Sequence, residues 1–429
     1  MAIPVPYHDR PASGGPVLSR RVLSRRVRSA LCRWIGGPVG RRTESTAVRQ
    51  NVTIEWASDT AAPTRTSVIA CPNCAAVAAK VVVLAVRFTD VSARARHNRL
   101  LRCVDFTCLF YEDRDMPDYA EAELLQQGRV PFYLQQGAGV GLLAGILGQV
   151  PAPPGARYVE VGCGFGFGLD FASRARGWAA TGIDPGGMAA LGSARLGVSV
   201  EQRYLGAEEP ALAGACDVVL AAETIEHVPS PLAFLRVLRG LVRRGGVLVL
   251  TTPDAARLEP QTAAGAMVAL LSPGQHLVFQ TATSLRHLLM QAGFPDARVR
   301  QDGHGLVAHA SDQPLRLVAD EPGLREGYRD YLERRASDFP PGDDLQLGFA
   351  GRLLQECVND GDMARAAGAY AALRMACQTR FGIDLDMLEC LPAAVKDRNV
   401  KQLAGQVPLA LGGILHADAL RRLAGGMPR

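Results

Sequence analysis

The sequence of 429 residues predicts an α/β fold, in which a small cysteine-containing module precedes a doubly wound sheet and a helical region follows it. Three observations support this prediction. An apolar stretch around Glu160 runs into glycines at every second position, as in a strand that leads through a tight loop into a helix. The next apolar stretch, 178–184, ends in an acidic residue. After about residue 313 the apolar residues recur at helical spacing.

The glycine-rich loop follows the predicted strand that contains Glu160. Gly162, Gly164 and Gly166 suit a turn in which the backbone adopts a positive φ or lies against a ligand. Asp184 comes 18 positions after Gly166, about the distance at which a doubly wound fold places a carboxylate near a ribose. Glycine also occurs in purely structural turns. The strand, the helix and the downstream acid together favour a nucleoside-binding site.

Glu160 bears on the kind of ligand. A dinucleotide would place its pyrophosphate at the N-terminus of the helix that follows the loop. The carboxylate of Glu160 precedes the glycines directly, so it would repel that phosphate and suit a ligand with an ammonium group. A nicotinamide-dependent oxidoreductase is therefore the least favoured of the function classes considered.

With these residues the chain resembles the class I S-adenosylmethionine-dependent methyltransferases, whose first motif has the form acid-x-Gly-x-Gly-x-Gly. The resemblance covers about residues 155–312 and implies a Rossmann-like, doubly wound sheet. Three further segments are similar to the family's fourth strand with its Glu-His-Val-Pro ending, to its Gly-Gly turn and fifth strand, and to the closing segment of many small-molecule methyltransferases. They span residues 216–229, 241–254 and 275–294.

The resemblance implies that S-adenosylmethionine is the cofactor, with the loop around its methionine half and Asp184 on its ribose. Cys163 lies inside the loop, where we expect it to contribute backbone rather than a nucleophile. At the adenine end Gly206 stands where the family usually carries an acid, which leaves backbone amides or the Glu208 side chain for that contact. The expected cofactor-binding residues are Glu160, Gly162, Cys163, Gly164, Gly166, Asp184, Pro185, Gly206, Ala207 and Glu223.

The candidate catalytic residues follow the predicted fourth and fifth strands, where a doubly wound sheet opens its crevice. Methyl transfer is an in-line displacement that often requires removal of one proton from the acceptor. His227 is the first candidate for the base, because imidazole titrates near neutral pH, and His276 is the second. Glu226 and Glu223 would orient a histidine or bind the acceptor. The structural alternative is that His227 only caps the following helix.

Four cysteines form two close pairs on either side of an apolar run. Cys71 and Cys74 make a Cys-x2-Cys pair, and Cys103 and Cys108 make a Cys-x4-Cys pair after a gap of 28 residues. Two such pairs can place four thiolates around one tetrahedral zinc ion. The arrangement resembles the N-terminal zinc-binding module of some sugar and natural-product methyltransferases, where zinc is structural and the module helps to close the substrate pocket. The alternative is four ordinary buried thiols.

The net charge of +5 is unevenly distributed. Residues 1–50 contain ten Arg and only two acids, so the rest of the chain has 37 basic and 40 acidic residues and does not resemble a nucleic-acid-binding protein. Segment 17–35 would form a basic amphipathic helix that binds a membrane surface or a partner. The alternative, which we favour, is that it belongs to a disordered arm. No apolar run of ~18 residues predicts a transmembrane segment, and the scattered cysteines favour the cytoplasm.

We therefore predict four regions: a basic arm (1–65), a zinc-ribbon-like module (66–118), a methyltransferase domain (119–312) and a helical C-terminal domain (313–429). Segment 131–136 would lie near the cofactor cleft. The C-terminal helices would bind a partner, dimerise or cover the substrate. The expected function is methyl transfer to a small molecule, with a sugar or nucleotide-sugar suggested by the resemblance of the cysteine module. The alternative is a non-catalytic cofactor-binding or scaffolding relative that acts through the C-terminal helices.

Overall fold

The computed structural model describes residues 52–57, 65–66, 69–77, 80–89, 95–120, 129–137, 140–319, 321–387, 400–403 and 405–424. Residues 1–51 of the predicted basic arm (1–65), with its amphipathic helix, lie outside the described residues. No helix within the described ranges is long and apolar enough to cross a lipid bilayer.

The described elements are numbered in chain order. The strands are β1 (Thr53–Trp56), β2 (Arg65–Thr66), β3 (Lys80–Thr89), β4 (Ala95–Arg102), β5 (Leu109–Tyr111), β6 (Arg157–Val161), β7 (Ala179–Ile183), β8 (Ser199–Glu201), β9 (Cys216–Ala222), β10 (Val242–Pro253), β11 (Val278–Phe279), β12 (Asp296–Asp302) and β13 (Gly305–Ser311). The α-helices are α1 (Arg129–Gln135), α2 (Val140–Gly148), α3 (Phe167–Arg176), α4 (Gly187–Leu196), α5 (Pro231–Leu241), α6 (Ala264–Leu271), α7 (Ala282–Gln291), α8 (Glu321–Ser337), α9 (Asp344–Asp360), α10 (Met363–Phe381), α11 (Val400–Leu403) and α12 (Leu411–Ala424). Short 3₁₀ turns, Ile225–His227 and Ala255–Arg257, follow β9 and β10.

The larger sheet has seven strands in the order β8-β7-β6-β9-β10-β13-β12. Its first five strands are parallel, and β13 and β12 form an antiparallel hairpin at the edge. The predicted doubly wound sheet is thereby confirmed. The strand order reverses between β6 and β9, so a crevice opens at the carboxyl ends of these two strands. The glycine loop follows β6 and His227 follows β9, which places both at this crevice.

Continuous apolar runs explain why the central strands are buried on both faces. Strand β9 reads Cys-Asp-Val-Val-Leu-Ala-Ala, and most of its residues are fully buried, as expected of a parallel strand covered by helices on both sides. The helices end where the sequence supplies glycine: Gly177 and Gly197 close α3 and α4 in the left-handed conformation. These stops return the chain to the sheet after each helix.

The smaller sheet belongs to the cysteine-bearing region, with the order β1-β3-β4-β5-β11 and β2 paired to β3. Two of its strands, β1 and β2, include residues before the predicted boundary at 66, so the module begins earlier in the chain than we predicted. Strand β11 comes from the segment that follows β10 and pairs with β5. The module therefore shares a sheet with the chain around His276 and does not end structurally at residue 118.

The C-terminal region is helical, as predicted, and packs against α1, α2 and α3. Helices α8, α9 and α10 contact one another, and α9 also contacts α1 and α12. A single hydrophobic cluster joins side chains of the glycine loop and α3, such as Phe165 and Phe167, to side chains of α9 such as Leu345 and Phe349. The C-terminal helices therefore share a core with the methyltransferase-like sheet.

A buried ion pair fastens these helices to α3. The Asp170 carboxylate is fully buried, and its Oδ2 accepts hydrogen bonds from the Tyr331 hydroxyl at 2.7 Å and from Arg335 Nε at 2.8 Å. The Arg335 guanidinium also lies over the rings of Phe339 and Phe349. Removal of one partner leaves the other charge buried without compensation, which is costly.

We expect Arg335→Met to lower the free energy of unfolding by about 3–5 kcal/mol, because Asp170 would remain buried without its cation. Arg334→Met is the matched control, since Arg334 is exposed on the same helix, and its effect should stay within about 0.5 kcal/mol. Urea denaturation of both variants measures the difference. Equal stabilities would show that the ion pair does not fasten the C-terminal helices.

Candidate active site

The glycine loop between β6 and α3 is built from positive-φ glycines. Gly162, Gly164 and Gly166 have φ values of 73°, 53° and 87°. A Cβ at Gly162 would lie 2.5 Å from Thr224 Oγ1. The loop after β6 therefore lies so close to the loop after β9 that only glycine fits at position 162. The loop thus brings backbone to the crevice in a conformation that glycine accommodates without strain.

Asp184 at the end of β7 holds this loop in place. Its Oδ2 accepts the Gly164 N–H at 2.8 Å, and its Oδ1 accepts the Gly186 N–H at 2.7 Å. Each carboxylate oxygen can accept more than one hydrogen bond, so capacity remains for ligand hydroxyls. Pro185, half-buried, follows directly. Asp184 thus lies beside the glycine loop, where its spacing from Gly166 predicts it.

Cys163 packs inward from the loop. Its side chain is buried, and a Cβ at Gly182 would lie 2.6 Å from its Sγ. Burial raises the pKa of the Cys163 thiol, which keeps it protonated. This environment is that of a packing residue, because a nucleophilic cysteine needs a lowered pKa.

Glu160 lies in the interior beneath the first turn of α3. Its Oε2 accepts a hydrogen bond from the Tyr158 hydroxyl at 2.9 Å, and a Cβ at Gly168 would lie 2.3 Å from the same oxygen. Gly168 therefore provides the space for this carboxylate, a requirement that the sequence analysis missed. Burial raises the pKa of Glu160 to about 8. The expected ammonium contact stays a prediction.

This raised pKa predicts a pH dependence of stability. Between the ordinary value of 4.5 and about 8, the folded protein keeps a proton on Glu160 that the unfolded chain has lost. Folding then binds protons, so stability falls as pH rises through this window, by at most about 1.4 kcal/mol per pH unit. We expect Glu160→Gln, which cannot ionise, to gain stability relative to the native sequence between pH 5 and pH 8. Urea denaturation at both pH values measures this difference, and a pH-independent difference contradicts the assignment.

At the expected adenine end the Gly206 amide is already occupied. It donates to Glu209 Oε1 at 2.7 Å, and Glu209 in turn pairs with Arg203. Ala207 is exposed beside it. The Gly206 amide is therefore available to a ligand only if it shares its hydrogen or if Glu209 moves.

Two tyrosines reach the crevice from the chain before the larger sheet. Tyr133 on α1, within the segment predicted to lie near the cleft, contacts the Phe165 and Phe167 rings of the loop and α3. The Tyr119 hydroxyl lies 2.7 Å from His227 Nδ1 and 3.3 Å from the Gln275 carbonyl. Sequence reasoning missed Tyr119, which belongs to no motif and lies 108 positions from His227.

The predicted catalytic residues Glu226, His227 and His276 come together. The two imidazole rings are perpendicular, with centroids 4.8 Å apart. Nε2 of His227 lies 3.9 Å from Glu226 Oε1, and Nε2 of His276 lies 4.0 Å from the same oxygen. All three residues are buried, and they occupy the carboxyl end of β9 and the chain just before β11.

A backbone carbonyl lies beside Nδ1 of each histidine ring. His227 Nδ1 lies 3.1 Å from the Gln275 carbonyl, and His276 Nδ1 lies 2.8 Å from the Leu270 carbonyl. Because a carbonyl only accepts, the hydrogen of the neutral His276 ring is placed on Nδ1 and its lone pair on Nε2. His227 Nδ1 also lies 2.7 Å from the Tyr119 hydroxyl, which can donate or accept, so both tautomers of His227 fit its contacts. Burial lowers the pKa of both histidines, that of His276 to about 3, so both rings are neutral at physiological pH.

The two glutamates of this site differ in environment. Glu226 Oε2 accepts a hydrogen bond from Thr252 Oγ1 at 3.0 Å. Burial, and then the nearby Glu223 carboxylate, raise the pKa of Glu226 well above its ordinary value. Glu223 is exposed at the end of β9 and has a φ of 50°, which a residue with a side chain rarely adopts. Such strain at a strand end is typical of a functional site.

The four cysteines of the N-terminal module converge into one cluster. Cys71 Sγ lies 3.6 Å from Cys108 Sγ, and Cys74 Sγ lies 3.7 Å from Cys103 Sγ. These distances exceed the length of a disulfide, about 2.0 Å, and approach the edge of a zinc–thiolate tetrahedron with bonds of about 2.3 Å, roughly 3.8 Å. The donor set therefore fits zinc. The hydrogen bond from Cys108 lowers the pKa of Cys71 to about 5.

The wider second cysteine pair has a local explanation. Each knuckle contains a left-handed residue, Ala75 in the first and Thr107 in the second, whose N–H bonds back to the first cysteine's carbonyl. The second thiol of the pair comes just before Ala75 in the first knuckle and just after Thr107 in the second. Both spacings therefore place the second thiol of each pair in the cysteine cluster.

This module is tied to the segment that follows His276. Asn73 Nδ2 in the first knuckle donates to Gln280 Oε1 at 2.9 Å, and the Thr107 and Thr281 hydroxyls lie 3.0 Å apart. The Tyr111 N–H also donates to the Leu277 carbonyl. The position of His276 is thus linked through a few residues to the thiol cluster.

A family model described as a methyltransferase domain matches residues 140–298 of this chain. Among curated proteins, the ubiquinone biosynthesis O-methyltransferase of Pseudomonas aeruginosa is 41% identical over 105 residues, which cover 23% of this chain and 44% of that protein. Its Xanthomonas campestris counterpart is 40% identical over 110 residues, with 24% and 44% covered. The chain thus spans less than half the length of these curated relatives.

A solved S-adenosylmethionine-dependent methyltransferase from Mesorhizobium loti is 18% identical, with a TM-score of 0.34 over 40% of this chain and 95% of that chain. The family match contains the glycine loop, Asp184 and the cluster of Glu226, His227 and His276. The strand order of the larger sheet agrees with the architecture expected from the motifs. Residues 140–298 therefore match a methyltransferase domain, in agreement with the resemblance to the class I S-adenosylmethionine-dependent methyltransferases.

Proposed function

We propose that this protein transfers the methyl group of S-adenosylmethionine to a hydroxyl oxygen of a small molecule. The observation that carries the proposal is the close approach of the glycine loop after β6, held by Asp184, to the loop after β9 that bears His227. The curated relatives, named as O-methyltransferases of ubiquinone biosynthesis, favour oxygen as the acceptor atom. A sugar or nucleotide-sugar acceptor is the narrower alternative.

The cofactor would lie along the glycine loop, in agreement with the family's first motif. Asp184 would accept hydrogen bonds from the ribose hydroxyls, because its carboxylate stands at the end of β7 beside the loop. The ionised form of Glu160 would balance the cofactor's positive charge from beneath α3. Tyr133 packs against the loop and would limit the space around the methionine half.

His227 is suited to remove the acceptor proton. Its Nε2 would carry the lone pair in the tautomer whose Nδ1 hydrogen is donated to the Gln275 carbonyl. As the acceptor oxygen attacks the methyl carbon, the carbon–sulfur bond breaks and its electron pair remains on sulfur. The hydroxyl proton would pass to Nε2. Tyr119, hydrogen-bonded to Nδ1, would hold the ring in this orientation.

The four thiols of the N-terminal module would hold a structural zinc ion. Four cysteine ligands complete its coordination shell and leave no position for a substrate. The ion would fix both knuckles, and through Asn73 and Gln280 it would stabilise the segment that carries His276. Its role would be to support the active site from outside the crevice.

The experiment that tests the proposed function uses S-adenosylmethionine with a tritiated methyl group. The full chain is incubated separately with a catechol and with a nucleotide sugar, and the product is separated and counted. We expect label on an oxygen of at least one acceptor. If the protein binds the cofactor but labels no acceptor, including the small molecules of a cell extract, a non-catalytic scaffold would be the better description.

A further inference from the structure

The cluster of Glu226, His227 and His276 contains more unsatisfied polar groups than a single general base requires. Their ligand atoms lie within 4.8 Å of one another. Glu226 Oε1 and His276 Nε2 are buried, and neither has a hydrogen-bond partner among the described residues. Their separation of 4.0 Å is too long for a hydrogen bond. Buried polar atoms without partners are rare in native proteins, because each one costs free energy.

Both histidines are arranged as metal ligands usually are. A metal-bound imidazole generally donates its other ring N–H to a carbonyl or carboxylate, which fixes its tautomer and its orientation. Here His276 Nδ1 donates to the Leu270 carbonyl, and His227 Nδ1 lies 3.1 Å from the Gln275 carbonyl, to which it donates in one of its two tautomers. Both free Nε2 atoms then point toward Glu226 Oε1. The other carboxylate oxygen, Oε2, is anchored by Thr252.

We propose that Glu226, His227 and His276 bind a divalent transition-metal ion, with open coordination positions toward the crevice. Ligand bonds of about 2.0–2.2 Å separate neighbouring ligand atoms by about 3.0–3.5 Å. The observed 3.9 Å and 4.0 Å require shifts of only a few tenths of an ångström. The widest separation in the cluster, up to 4.8 Å, requires the ligand atoms to approach each other by about 1 Å. Two imidazoles and one carboxylate suit ions from Mn²⁺ to Zn²⁺.

The position of this site gives the ion a role in the proposed methyl transfer, on which this part of the inference rests. Thr224, two residues before Glu226, contacts the glycine loop at Gly162, so the cluster adjoins the expected cofactor site. Glu223, at the exposed end of β9, is available as a further oxygen ligand. A bound ion would coordinate the acceptor oxygen and lower the pKa of its hydroxyl, so that the hydroxyl loses its proton to solvent water. His227 Nε2 would then serve as a ligand of the ion in place of its role as the base. The substrate class would be a small molecule with a metal-binding hydroxyl.

The test is a titration with Mn²⁺ followed by electron paramagnetic resonance, in which free Mn²⁺ gives a signal that binding suppresses. The full chain is first loaded with zinc at its four thiols and freed of other metals, since Mn²⁺ competes poorly for thiolates. We compare the native sequence with Glu226→Gln and His276→Ala. His309→Ala is the matched control, because His309 is also a buried histidine bonded to a backbone carbonyl.

We expect the native protein and His309→Ala to bind one Mn²⁺ per chain, and the two site variants to bind it at least about tenfold more weakly. Native-like circular dichroism spectra verify that the variants are folded. Failure of the native protein to bind Mn²⁺, or equal affinity in the site variants, overturns the metal site. A titration with S-adenosylmethionine on the same samples separates the two proposals: cofactor binding without Mn²⁺ binding refutes only the metal site, and Mn²⁺ binding without cofactor binding refutes only the proposed function.

Discussion

Asp184→Ala should weaken the binding of S-adenosylmethionine by about 10²–10⁴-fold. The carboxylate is expected to accept two hydrogen bonds from the ribose, and each bond to a charged group contributes about 1.5–3 kcal/mol. The same carboxylate also holds the amides of Gly164 and Gly186. Its removal would therefore loosen the loop that surrounds the cofactor as well as remove the ribose contact. Isothermal titration calorimetry measures the affinity.

Asp217→Ala is the control for this prediction. Asp217 also accepts a backbone N–H, from Arg157, and an arginine hydrogen bond, from Arg243. It lies at the amino ends of β6 and β9, at the opposite edge of the sheet from the glycine loop. We expect Asp217→Ala to alter stability and to leave cofactor affinity unchanged. Native-like affinity in Asp184→Ala would refute the ribose assignment.

The double variant Cys71→Ser, Cys74→Ser should lose its zinc. Serine hydroxyls do not ionise at neutral pH, so only two thiolates would remain. Zinc binding to a structural site contributes free energy directly to folding, about 10–16 kcal/mol in isolated zinc fingers. The two sheets share a hydrophobic cluster. We expect the module to become sensitive to protease without zinc, while the larger sheet stays folded. Elemental analysis gives the zinc content, and limited proteolysis reports on the module.

Cys216→Ala and Cys357→Ala provide the comparison, because both remove a buried thiol outside the cluster. Each should retain about one zinc ion per chain. Because Asn73 and Gln280 link the first knuckle to the chain after His276, the zinc-free variant should also transfer methyl groups more slowly. Zinc content that is equal in the double variant and the native protein would show that these four thiols are ordinary buried cysteines.

The sequence predicted those parts of the site that depend on short-range spacing. Asp184 could be placed because the loop, helix and strand between it and Gly166 have nearly fixed lengths in a doubly wound fold. His227 could be placed because it follows β9 directly. The cysteine pairs could be grouped because each pair lies within one turn. These assignments need only the local conformation of the chain and the parallel arrangement of the strands.

Contacts between distant segments could not be predicted in this way. Tyr119 reaches His227 across 108 positions, and Arg335 reaches Asp170 across 165 positions. Neither residue belongs to a periodic pattern or to a motif. The pairing of β11 with β5 was missed for the same reason, because a strand of two residues has no detectable alternation. The boundaries predicted for the module and for the C-terminal domain separate parts that share a sheet or a core.

We expect the loop at Glu160–Gly166 to bind S-adenosylmethionine. The most direct test of this binding is a calorimetric titration of the full chain with S-adenosylmethionine and, in a parallel experiment, with NAD. We predict saturable binding of one S-adenosylmethionine per chain and no detectable heat of binding with NAD. Binding of NAD without binding of S-adenosylmethionine would show that the loop is a dinucleotide site instead.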